Sequence, residues 1–251
     1  MMPVMARPAN EDRAGIRDRG CSALSGWLPH ISVVLVAVLL AAALYLPLVH
    51  TLLDYEDGEW IRASFPLYPS RVTQFVVMNS LLLPLLRHHV EGFFLFGAAL
   101  HLTCALLIYA FLLVYNRRVR GTLRGQWWSA WAGAALAAVT FLAYEAGNLV
   151  FLSALSYQLF CLFGLLALIF ALEYLGRGKS WLWFASVSCT LLALLSHSYA
   201  LGLPLMIGGL ELVWRRARVL GPARWNIAWR YLLHLLPPWC FVILFGQGLL
   251  A

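Results

Sequence analysis

The chain has 251 residues, of which 62% are apolar and 12% charged, with a formal net charge of +7 and a mean hydropathy of +0.79. A soluble domain carries about 45–50% apolar and about 25% charged residues, so this composition excludes a disordered chain, a nucleic-acid-binding domain and an ordinary soluble enzyme. A polytopic membrane protein remains, and its positive balance speaks of topology and lipid contact rather than of nucleic acid.

A bilayer core about 30 Å thick takes about 20 helical residues to cross. The first apolar run covers residues 27–53, too long for a signal-peptide core and without a small-residue cleavage site after it. The second covers residues 93–115. Residues 127–172 contain no Lys or Arg and are too long for one crossing; the break is expected at Tyr144-Glu145-Ala146-Gly147-Asn148. Residues 181–214 are again too long for one span, and Ser196-His197-Ser198, with Gly202 and Pro204 just beyond, marks their break. A last run covers residues 231–250. The predicted fold is therefore all-α: a polytopic bundle of about seven transmembrane helices over residues 27–251, preceded by a tail of residues 1–26.

Basic residues set the orientation. Arg7, Arg13, Arg17 and Arg19 precede the first span, and Arg117, Arg118, Arg120 and Arg124 follow the second. Arg177 and Lys179 follow the fourth, and Arg215, Arg216, Arg218, Arg224 and Arg230 separate the sixth from the seventh. All four segments fall on one side. The positive-inside rule makes that side cytoplasmic, with the N-terminus inside and the C-terminus outside. Trp27, Trp127, Trp128, Trp181, Trp183 and Trp214 stand at span ends, where an aromatic belt belongs.

Metal and disulfide chemistry find little footing. Of five cysteines, Cys104, Cys161, Cys189 and Cys240 lie in apolar runs and Cys21 in the tail, and no CxxC pair exists. They read as small packing residues. His88-His89 are adjacent and lack the spacing of a metal site, and His101 reads as a helix-packing residue. Glu211, one turn from the cytoplasmic arginines, is expected to pair with one of them.

The outer side carries the chemistry. Residues 54–92 form the longest outer loop, opening with the acids of Asp54-Tyr55-Glu56-Asp57-Gly58-Glu59-Trp60 and running through Arg62 and Arg71 to Arg87 and Glu91. Within it, residues 70–83 mix polar and apolar positions as a helix in the membrane surface does. Asp54 and Asp57 are spaced i,i+3 and share a face on a helical turn. Glu145 interrupts a long uncharged run, and ionisable residues at membrane depth are costly and often functional. Three polar outer turns, the last with His197, are expected to converge on one pocket.

In their order, these features resemble the N-terminal membrane half of GT-C-type glycosyltransferases, closest in style to bacterial relatives of the tetratricopeptide-repeat O-mannosyltransferases. The resemblance covers about residues 27–215. It rests on the acidic motif after the first helix, His101 embedded in the second, the acid of Tyr144-Glu145-Ala146, and Leu194-Leu195-Ser196-His197-Ser198-Tyr199-Ala200 followed by Pro204. At the last motif the family usually has Lys-Glu where this chain has His197-Ser198.

The resemblance implies a membrane enzyme that takes a sugar from a polyprenyl-phosphate carrier on the outer face of a bacterial cytoplasmic membrane. Sugar transfer to a hydroxyl needs a carboxylate base and donors for the departing phosphate. Asp54 or Asp57 is assigned as base, Glu145 as the second carboxylate, and Arg62, Arg71, Arg87 and His197 as the phosphate-binding set. The cofactor is open, a divalent cation being one candidate. Expected partners are membrane lipid, the polyprenyl-phosphate sugar and other membrane subunits, with no nucleic acid. The alternative is a non-catalytic membrane subunit or a truncated transferase module serving as a scaffold in a larger membrane complex.

Overall fold

The computed structural model describes residues 11–48, 71–86, 90–120, 127–144, 154–217, 234–236 and 240. They are helical apart from short links, with no strand among them. Helix α1 spans Glu11–Tyr45 and ends in a 3-10 turn, Leu46–Leu48. Helix α2, Val72–Leu86, is α-helical at both ends with a π-helical middle, Met78–Leu82. Helix α3 spans Val90–Tyr115 and runs into a π-helical turn, Asn116–Arg120. Then come α4, Trp127–Tyr144, α5, Leu155–Arg177, and α6, Ser180–Ser196. A 3-10 turn, Ser198–Gly202, leads to α7, Leu203–Ala217.

Three segments, Trp27–Tyr45, Glu91–Val119 and Leu155–Arg177, are long and apolar enough to cross a membrane. At about 1.5 Å per residue, the 23 residues of α5 extend about 34 Å, slightly more than a bilayer core. The apolar surface left open fits that setting. On α1, Leu28, Ile31, Leu35, Val36 and Leu39 are all more than half exposed. Scattered exposed apolar residues are ordinary, but a continuous apolar helix surface of this size belongs against lipid or another protein.

Small residues on spaced positions let the helices approach closely. Val33, Ala37, Ala41 and Tyr45 repeat every four residues on α1, and Ala134, Ala138 and Leu142 do so on α4. Together with Ala105 and Tyr109 of α3 they form one packed cluster. Among apolar helices such small-residue stripes carry close packing and van der Waals contact. Two polar ties fix the register. The Tyr45 hydroxyl donates to the carbonyl of Leu142 at 3.1 Å, and Trp131 Nε1 donates to the carbonyl of Pro29 at 3.2 Å. Helices α1 and α4 therefore run parallel. Both run antiparallel to α3, because His30 Nδ1 meets the Tyr109 hydroxyl at 2.6 Å and His101 stacks on Phe141 at 4.6 Å.

The first apolar span starts at Trp27, as the sequence placed it, within a helix that is already formed from Glu11. Beyond Tyr144, the break expected at Tyr144-Glu145-Ala146-Gly147-Asn148 lies outside the described residues; α4 is described as far as Tyr144 and α5 from Leu155. The break at Ser196-His197-Ser198 is observed. His197 is extended (φ −160°, ψ 141°) between α6 and the 3-10 turn. At the other end of α6, the link from α5 needs a left-handed residue, and Gly178 supplies it at φ 68°, its N–H donating to the Tyr174 carbonyl at 2.7 Å. Most of residues 231–250 lie outside the described residues; His234 and Leu236 belong to a helical turn.

Helix α2 packs one face against the bundle. Gln74, Met78 and Leu82, spaced every four residues, are buried. Met78 and Leu82 join Phe93 and Leu100 of α3 and Leu155 and Leu159 of α5 in a second cluster. The opposite face exposes Val76, Leu81 and Leu85. Thr73 ties the helix to α6, its hydroxyl donating to the Leu192 carbonyl at 3.3 Å.

Candidate functional site

Helix directions sort the charged residues into two ends. Cys104 of α3 lies against the carbonyl of Gln158 on α5, and Arg117 and Arg118 at the end of α3 reach Glu173 near the end of α5. The two helices therefore run parallel, and Arg117, Arg118 and Arg177 gather at one end. Trp181, at the start of α6, packs edge-on against Phe170 of α5 at that same end. The opposite end holds the start of α5, the turn after α6 and the start of α2.

At that opposite end His197 is the centre of an aromatic group. Its ring stacks on Tyr157 of α5 with centroids 4.4 Å apart and planes 29° apart. Tyr199 approaches at 4.3 Å and Phe160 at 6.4 Å. His197 Nδ1 accepts the backbone N–H of Tyr199 at 3.2 Å. In the neutral ring the proton then sits on Nε2, which is a donor. His197 is buried, whereas Tyr157 and Tyr199 are 42% and 66% exposed. Ring surface therefore faces outward beside a histidine held in place from behind.

Arg71 completes the group. It stands at the N-terminal boundary of α2, and the Thr73–Leu192 bond holds that helix beside the last turns of α6. Burial lowers the pKa of the His197 imidazole, and the nearby Arg71 charge lowers it further. The result is a neutral imidazole, a guanidinium and exposed tyrosine faces at one end of the bundle. Such a set can stack on a ring and donate hydrogen bonds to an anionic group.

Of the seven residues assigned from the sequence, Arg71 and His197 are thus brought together. Asp54, Asp57, Arg62, Arg87 and Glu145 lie outside the described residues, as does the pair His88-His89. Tyr157 and Phe160 were not singled out in the sequence. Their i,i+3 spacing near the start of an apolar helix reads there as packing alone. His101 is 2% exposed, stacked on Phe141 and edge-on to Tyr45 at 6.1 Å, a packing position. Cys104 is buried, Cys161 and Cys189 are half-buried and Cys240 is exposed; all four are free thiols. Among the described residues no three of His, Cys, Asp and Glu come together as a metal-binding set.

No family model, curated protein or solved structure matches the chain.

The end that carries the arginines is organised around two buried acids. Glu173 binds Arg117 through Oε1 and Arg118 and Arg177 through Oε2, the last two at 2.7 Å and 2.6 Å. Glu211 pairs with Arg215 at 2.9 Å, the partner class expected from the sequence. Beside Glu211 a small cavity is lined also by Tyr174, Trp183, Ile207 and His234. Ser186 meets His234 Nε2 there at 3.1 Å while donating to the Ala167 carbonyl at 2.9 Å. With its proton given to a carbonyl, Ser186 is an acceptor for His234 and a helix tie rather than an activated nucleophile.

Proposed function

We propose that the chain is a membrane glycosyltransferase-like protein of about seven crossings that takes a sugar from a polyprenyl-phosphate donor on the outer membrane face. The observation that carries this reading is that His197 stands beside the exposed rings of Tyr157 and Tyr199 at the end of the bundle away from Arg117, Arg118 and Arg177, where the Thr73–Leu192 bond also holds the start of α2 with Arg71. A lipid-linked donor offers one phosphate at headgroup depth and one sugar ring beyond it. The guanidinium and the Nε2–H suit the phosphate. Tyrosine faces suit the apolar face of the sugar. In this reading Asp54 or Asp57 takes the acceptor proton and Glu145 orients the acceptor.

The test is transfer from a polyprenyl-phosphate sugar in proteoliposomes to a hydroxyl acceptor. His197→Ala and Arg71→Gln are expected to lower turnover by at least about tenfold, the lower range for loss of a phosphate donor, and Asp54→Asn with Asp57→Asn to abolish it. Full transfer by the carboxylate double variant would remove the base assignment.

A second reading, a non-catalytic membrane subunit, draws on one observation. His197 Nδ1 is occupied by the Tyr199 N–H and its ring is enclosed by Tyr157, so the residue also serves to cap the turn. Stable co-purification with other membrane subunits, without turnover of any lipid-linked sugar, selects this reading.

A further inference from the structure

Glu173 offers one negative charge to three guanidiniums. Arg117, Arg118 and Arg177 converge on its two oxygens from two helices, α3 and α5. Each guanidinium carries five N–H donors in a fixed fork, far more than two carboxylate oxygens can accept. Arg118 is mostly enclosed, at 19% exposed, but Arg117 and Arg177 keep 57% and 50% of their side-chain surface open. Charge and donors therefore remain in surplus on the outward side of the cluster, while the shared carboxylate fixes where the forks stand.

The surroundings say what fits. Lys179 follows two residues after Arg177 and is exposed. Trp181, packed on Phe170, is 57% exposed, and Phe184 beside it is 62% exposed. Going from Arg177 into α6, the surface thus changes from cationic to aromatic to apolar within a few residues, at the end of a helix long enough to span the bilayer. That sequence of chemistries matches a phospholipid from phosphate to glycerol to acyl chain. Basic pockets between transmembrane helices bind anionic headgroups in this way, and arginine forks bind phosphate in bidentate fashion.

We propose that Arg117 and Arg177, braced by Glu173 and flanked by Lys179 and Trp181, form a binding site for one anionic phospholipid, its phosphate on the two guanidiniums and its chains along the surface of Trp181 and Phe184. The site does not depend on glycosyl transfer, and its test does not read that activity.

The experiment is native mass spectrometry of the full chain in mild detergent, offered phosphatidylglycerol or phosphatidylcholine with identical acyl chains. Phosphatidylglycerol is expected to be retained preferentially. Arg117→Gln, which touches a residue more than half exposed, and Arg177→Gln are each expected to weaken that preference about fivefold, the worth of one cation at a charged lipid surface. Arg117→Lys retains most of it. Inorganic phosphate at millimolar concentration leaves the lipid bound, because it lacks the chains. Equal retention of both lipids by the unaltered chain overturns the proposal. So does an undiminished preference in Arg117→Gln, and so does displacement by inorganic phosphate, which marks a soluble-anion site instead.

Discussion

The Arg118 side chain lies across the bare backbone of Gly176. A Cβ at Gly176 would stand 2.5 Å from Arg118 Nε and 2.6 Å from Cζ, inside any real contact distance. The absence of a side chain at this one position of α5 is what lets the guanidinium reach Glu173 at 2.7 Å.

Gly176→Ala is therefore expected to be destabilising, against the usual sign for glycine in a helix. Alanine gains up to about 1 kcal/mol of helix propensity over glycine. The displaced arginine forfeits a charge-assisted hydrogen bond to a buried carboxylate, about 1.5–3 kcal/mol. The net loss is about 1 kcal/mol, read as a lowered midpoint of thermal unfolding in detergent. An unchanged or raised midpoint shows that Arg118 reaches Glu173 by another route.

His197 predicts a pH dependence of stability in the weakly acidic range. Its pKa in the folded chain is lowered, chiefly by burial and then by the Arg71 charge. The unfolded chain, with an ordinary histidine pKa of about 6.5, binds the proton more readily. The stabilisation from the neutral ring is thus complete above about pH 6.5 and is lost as pH falls through the folded-state value. Thermal unfolding midpoints of the native chain should fall over that window more than those of His197→Gln. In Arg71→Gln the window should narrow, because the folded-state pKa moves back toward its ordinary value. Parallel pH profiles for the native chain and His197→Gln would reject the assignment.

His101 holds α1, α3 and α4 together through its ring faces. It is 2% exposed between Phe141, stacked at 4.6 Å, and Tyr45, edge-on at 6.1 Å. His101→Ala is expected to cost about 3 kcal/mol, as large aromatic truncations in cores do. His101→Phe, which keeps a ring of similar shape, should recover most of it. Unfolding in detergent checks both. If alanine and phenylalanine prove equally damaging, the polar atoms of the ring matter more than its packing.

The topology is tested from outside the cell. Tyr199 is 66% exposed at the His197 end, and Lys179 is exposed at the arginine end. With the N-terminus inside, Tyr199→Cys should react with a thiol reagent that does not cross the membrane, and Lys179→Cys only after permeabilisation, each judged against labelling of the unaltered chain. The reverse pattern inverts the orientation and moves the proposed donor site to the cytoplasmic face.

Composition and the position of polar residues were enough to read an all-helical chain with apolar segments long enough to cross a membrane. Ser196-His197-Ser198 interrupts an apolar run, and the chain turns there, with Ser196 and His197 buried and hydrogen-bonded within the bundle. Arg177 and Lys179 mark the end of α5, with Gly178 free to adopt the left-handed turn between them. The pairing of Glu211 with Arg215 was legible too, since four residues along one helix is a fixed geometry.

Which faces meet was decided by the tertiary structure. Glu173 stands one helical turn before Arg177, but nothing local brings Arg117 and Arg118 to it from α3. Tyr157 and Phe160 read as packing until His197 is laid on them from the far side of α6. In a soluble helix an apolar stripe would announce the inner face. Here most faces are apolar, because lipid accepts the same side chains as the interior does, so composition leaves helix rotation undetermined. The rotation is set instead by small residues that allow close approach, such as Ala37, Ala41, Ala134 and Ala138, and by scattered polar ties such as Tyr45 to Leu142 and Thr73 to Leu192. Those are relations between distant segments, and they exist once the helices have packed.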